Sequence, residues 1–156
     1  MRQYLLILLV CLLGLSSCQH TVVYSEFESM PIQGWHKDSV LHYPVNIDDS
    51  ISPYEILIVV RNTTEYPYQN LWLFVDEYEE DVCIHRDTIE AMLADEYGRW
   101  LGKGSRRYEL PLLYSGSHRF TRTGNHTFTI QQGMRVDCLT GITEVGLVIK
   151  KNNGQE

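Results

Sequence analysis

The chain has 156 residues, of which 44% are hydrophobic and 21% charged; 13 basic against 20 acidic side chains give a formal net charge of −7. That length suits one domain able to bury a core of its own, without metal or disulfide staples. The acidic balance argues against a nucleic-acid partner, which calls for a clustered basic footprint.

In chain order, a basic head (Met1-Arg2) precedes the apolar run Tyr4–Leu15 and then Leu15-Ser16-Ser17-Cys18. This is the order of a secretory signal peptide. The run is shorter than the roughly 20 residues that a membrane-spanning helix needs. Leu-Ser-Ser-Cys resembles a bacterial lipobox, which implies removal of residues 1–17 and acylation of Cys18 at its thiol and new amine. Several acyl chains hold a protein on a bilayer where one binds only marginally. The expected organisation is a signal peptide over 1–17, a single domain over 18–150 and a flexible tail over 151–156. Beyond the anchor only Cys83 and Cys138 remain. An oxidising compartment permits them to pair, but sequence cannot show proximity, so paired and free thiols both stay open.

After Cys18 the dominant pattern has period two, the signature of strands. Thr21–Phe27 reads as a tether or first strand. In Val40–Ile47, Leu41, Tyr43, Val45 and Ile47 share one face. Glu55–Val60 is apolar on both faces, as in a covered central strand, and Asn70–Val75 looks similar, which places Trp72 in the core. The run Asp76–Asp81 reads as a solvated turn after that strand. Thr88–Glu96 has helix-favouring residues and is equally consistent with an irregular strand. Tyr108, Leu110 and Leu112 line one face of Arg107–Leu113. His126, Phe128 and Ile130 line one face of Gly124–Gln132; Val145, Leu147 and Ile149 line one face of Thr143–Lys150. Polar turns separate these runs, so the expected fold is all-β: an antiparallel β-sandwich, Ig-like or jelly-roll-like, of seven to eight strands.

The stretch Gly98-Arg99-Trp100-Leu101-Gly102-Lys103-Gly104 resembles a phosphate-binding loop only superficially. A P-loop needs four residues between its first glycine and Gly-Lys, then Ser or Thr, and it opens a helix. Here three residues intervene, glycine follows Lys103, and the next segment alternates like a strand. No nucleophile elbow or zinc-protease helix is present. His118, His126 and the Cys83-x-His85 pair make no tight ligand spacing, and Asp76–Asp81 lacks the spacing of a calcium loop. No catalytic residue, metal or cofactor is expected. Trp35 and Trp100 lie in turn-like regions; packing under a loop is the ordinary role there, and a partner or sugar platform is the functional one.

Read together, four segments resemble the gliding-motility lipoprotein GldH family of Bacteroidetes-type bacteria. They are Tyr24 and Phe27 with Gly34-Trp35-x-Lys37-Asp38; Arg61-Asn62 with Tyr66-Pro67-Tyr68-x-Asn70-Leu71; Gly98–Gly104; and Met134-Arg135 with Leu139, Gly141-Ile142 and Val145-Gly146-Leu147. Nothing is carried over for Tyr114–Thr123, including His118. The resemblance implies a non-enzymatic envelope lipoprotein working with protein partners of the gliding machinery, which is linked to type IX secretion. Trp35, Arg61, Asn62, Trp100 and Arg135 are then the candidate partner or loop residues, and Cys18 the lipidated one. Gln19 is not an Asp-type inner-membrane retention residue, and Gln19–Tyr24 lacks an acidic surface-export pair. The expected location is the periplasmic face of the outer membrane. The alternative is a periplasmic carbohydrate- or cell-wall-binding lipoprotein.

Overall fold

The computed structural model describes residues 21–152, so the expected signal peptide and the expected lipidation site Cys18 lie outside the described residues. The strands are β1 (Thr21–Ser29), β2 (Trp35–His36), β3 (Leu41–Ile47), β4 (Tyr54–Thr63), β5 (Asn70–Glu79), β6 (Val82–Met92), β7 (Lys103–Gly104), β8 (Arg107–His118), β9 (Gly124–Gln132), β10 (Cys138–Leu139) and β11 (Ile142–Lys151). One sheet runs β1-β11-β4-β8-β7, a second runs β3-β9-β5-β6, and β10 pairs with β2. Every strand pairing is antiparallel. The all-β sandwich is therefore as expected: among the described residues, eight strands have seven residues or more, and three have only two.

Alternation explains the layers, because successive strand side chains point to opposite faces. Ile56, Ile58, Val60, Val145, Leu147 and Ile149 of the larger sheet meet Tyr43, Val45, Leu71, Leu73, Val75, Phe128 and Ile130 of the smaller one in a single core. Each fully buried Ile, Leu or Val stabilises the fold by about 1.5–3 kcal/mol. The Tyr43 hydroxyl satisfies its polar end by donating to the Val145 carbonyl at 2.8 Å. Strand β4 is covered on both faces, as its pattern suggests. On its outer side, Val59 pairs in register with Gly146, which pairs in turn with Phe27. A Cβ on Gly146 would stand 2.5 Å from the Phe27 ring, so only glycine lets that ring lie flat on the sheet.

Several expectations are corrected, and two open alternatives are decided. Strand β5 is buried on one face only: Leu71, Leu73 and Val75 point inward, while Trp72 and Phe74 are 38% and 45% exposed. The acidic run is no turn, because β5 continues to Glu79 and buries Glu77; Glu80 and Asp81 alone make the turn to β6. Strand, not helix, occupies Thr88–Met92, since pairing of β6 along β5 outweighs local helix propensity. Lys151, assigned to the tail by sequence, ends β11, paired with Thr21 and Tyr54. Cys83 and Cys138 are both free and exposed.

Candidate functional site

Strand β1 enters the described fold at Thr21, three positions after Cys18, and its partner there is Lys151. The same end carries the turns over 48–53, 80–81 and 119–123: Lys151 pairs with Tyr54, Tyr54 with His118, and Ile47 with Gly124. Lys151 Nζ holds Asp49 at 2.6 Å. The opposite, distal end is built by the segments 30–40, 64–69, 93–106 and 133–141.

The end that carries Thr21 encloses a polar cluster. Glu77 Oε1 lies 3.3 Å from His118 Nε2 and 3.6 Å from His126 Nδ1, and both Glu77 and His126 side chains are almost fully buried. His126 Nε2 is 3.0 Å from the Arg122 carbonyl, an acceptor, so that nitrogen carries the proton. The three facing atoms make no hydrogen bond among the described residues. A buried carboxylate is tolerated only beside a compensating charge or donor, and the two imidazoles are the groups that face it. Phe120 packs edge-on against both histidines, with ring centroids 4.7 Å from His118 and 4.8 Å from His126, and shields the cluster. Among the described residues no group of three His, Cys, Asp or Glu is placed to hold a metal.

At the distal end the candidate residues separate by role. Trp35 is fully buried and presents no ring surface to a partner; its Nε1 donates to the Ser39 carbonyl at 2.8 Å, and its backbone pairs with Leu139. Asn62 is also buried and donates to the Thr63 carbonyl at 3.2 Å. Arg61, its neighbour, points to the outer face. It donates to Glu109 at 2.7 Å and to Glu144, and its guanidinium sits 4.2 Å above the centroid of Phe27. Those carboxylates hold its proton more firmly than usual, the Glu144 hydrogen bond first. Trp100 is half-buried, tilted against Tyr66 and Tyr108 with ring centroids 6.4 Å and 5.8 Å away. It pins the glycine-rich loop through an antiparallel bridge to Ala94. Gly104 has φ 145°, and a Cβ there would lie 1.9 Å from the Arg107 carbonyl oxygen. The loop folds back on β8 as a tight connection rather than opening toward a ligand.

Arg135 is exposed and has no hydrogen-bond or ion-pair partner shown among the described residues. It borders an open cleft of about 470 Å³ with Tyr68, Asn70, Trp72, Met134 and Val136. The cleft exists because β9 leaves β5 after Gln132 pairs with Leu73. Beyond that point the chain crosses Trp72 by two contacts, Gly133 N–H to the Trp72 carbonyl at 2.7 Å and Trp72 N–H to Met134 Sδ at 3.4 Å. Parts of all four segments that carry the sequence resemblance meet at this end: Trp35 pairs with Leu139, Thr63 N–H donates to the Gly141 carbonyl at 2.8 Å, and Tyr66 packs on Trp100.

The family model described as GldH lipoprotein matches residues 22–149. The chain belongs to that family. Among curated proteins it is 35% identical to the gliding motility lipoprotein GldH homolog of Christiangramia forsetii, over 88% of this chain and 89% of that one. It is 31% identical to gliding motility lipoprotein GldH of Flavobacterium johnsoniae, over 94% of this chain and 96% of the relative. A solved family GH115 4-O-methyl-α-glucuronidase shares 10% identity over 84% of this chain and 18% of its own, at a TM-score of 0.45, a likeness that carries no functional argument. Of the site residues, sequence reasoning missed Glu77 and Trp72. The signal available for Trp72 was its parity: it alternates with Leu71 and Leu73 along β5.

Proposed function

We propose that this GldH-family chain is a non-catalytic lipoprotein of the gliding machinery. It is held by acyl chains on Cys18 at the periplasmic face of the outer membrane and works with protein partners of the associated type IX secretion apparatus. The observation that carries the reading is the family match over residues 22–149 together with two curated relatives of that name at 35% and 31% identity. The fold fits the role: a rigid sandwich whose first described strand begins three residues after Cys18 sets its distal loops away from the anchor. The test is deletion of the gene in its host, complemented with the natural gene or with Cys18→Ser. Loss of colony spreading, restored by the natural gene and not by Cys18→Ser, is expected. Normal spreading and an unchanged secreted proteome after deletion would refute the proposal.

A further inference from the structure

The outer face of the smaller sheet is divided. Toward the anchor it is polar, with Asp76, Thr127 and Thr129. Toward the distal end it exposes large apolar side chains side by side: Tyr68, Trp72, Phe74 and Met92 are 37%, 38%, 45% and 46% exposed. Trp72 and Phe74 alternate on β5, and Met92 stands opposite Asn70 on the neighbouring strand, on the same face. A contiguous apolar patch of this kind on a soluble domain marks an interaction surface. Its composition is that of a protein-binding hot spot, in which Trp, Tyr, Arg and Met are over-represented.

The cleft also has a charge preference. Lys37, Arg99 and Arg107 at the distal end are paired with Asp137, Asp95 and Glu144, whereas Arg135 on the rim of the cleft has no such partner shown, like Lys103 and Arg106, which do not line the cleft. The carboxylate of Glu90, paired with Trp72 on the neighbouring strand, already accepts from Asn70 Nδ2 at 2.5 Å. A free guanidinium beside exposed rings selects a carboxylate next to an apolar group, since Arg binds carboxylates with two parallel hydrogen bonds.

We propose that the cleft of Tyr68, Trp72, Met134 and Arg135 docks a segment of a partner protein that presents a large apolar side chain beside an Asp or Glu. This deepens the proposed function and rests on its requirement for a protein partner. The adaptable thioether of Met134 lining the floor suits a peptide side chain. The position at the far end of the sandwich from Thr21 leaves the cleft open to the periplasmic space.

The test places a photo-crosslinking benzoylphenylalanine at Met92 in the full-length lipoprotein in its native envelope. A control places it at Leu113, exposed on the opposite sheet. Expected is coupling at Met92 to one protein, through a segment with a carboxylate beside a large apolar residue. A synthetic copy of that segment then binds the purified full-length protein, and Arg135→Glu and Trp72→Ala each weaken it by at least about tenfold at unchanged melting temperature. Arg135→Glu alters only an exposed side chain and keeps the test open if Trp72→Ala unfolds. Coupling at Leu113 but not at Met92 overturns the docking site and leaves the adaptor role standing. Absence of protein coupling at both positions overturns both. Coupling at Met92 to peptidoglycan, or peptide binding indifferent to Arg135→Glu, overturns the partner chemistry.

Discussion

Trp35→Ala separates a core role from a contact role at the distal end. The ring is fully buried, between the two-residue β2–β10 pair and the main core, so truncation removes a large apolar side chain and leaves a cavity. Losses of this kind cost about 3–5 kcal/mol. The hydrogen bond from Nε1 to the Ser39 carbonyl adds little, because Ser39 is exposed and water replaces the donor. A domain of this size has about 5–15 kcal/mol of total stability, so the variant loses a large fraction of it. Urea unfolding of the full-length protein, followed by the fluorescence of Trp72 and Trp100, reads the effect as a lowered midpoint at unchanged m-value. A loss under about 1 kcal/mol would show that the ring lies outside the cooperative core, and the assignment of Trp35 to packing would fall.

His126→Ala leaves the Glu77 carboxylate buried with only His118 beside it and is expected to cost about 3–5 kcal/mol by calorimetry; Glu77→Gln in the same background should recover part of the loss, and no recovery would refute the charge argument. Gly146→Ala puts a Cβ where the Phe27 ring lies, displacing it from Arg61, with an expected cost of about 1–3 kcal/mol in denaturant unfolding. Lys151 first, then Ser52 and the backbone N–H groups of Ile51 and Ser52, hold the Asp49 carboxyl well below the usual carboxylate range. A depressed folded-state pKa stabilises the fold above the unfolded value of 3.8 and the benefit is lost as pH falls through the folded one. The melting temperature of Asp49→Asn should therefore fall less steeply than that of the natural protein on acidification below about pH 4, and equal slopes would contradict the assignment.

Alternation along each segment was enough to place the inward residues of β3, β9 and β11, because the two-residue period is a property of the extended chain itself. Composition at the N-terminus was likewise enough to mark Cys18 as the expected anchor, since a signal peptide is a local pattern. The same alternation marks two faces on β5 without saying what covers each. Trp72 and Phe74 stay exposed because β9 departs at Gly133, some sixty positions along the chain, whereas Val59 is buried because Phe27 lies over the neighbouring Gly146. Glu77 reads as one carboxylate in a solvated run, yet it is enclosed by His118 and His126 from two other strands. The two cysteines, open in sequence, are kept apart because Cys83 is the second residue of β6, at the Thr21 end, and Cys138 sits in β10 at the distal end. Local spacing determined strands and inward faces; which outer face is covered, and which charge is buried, depended on neighbours that only the tertiary fold brings together.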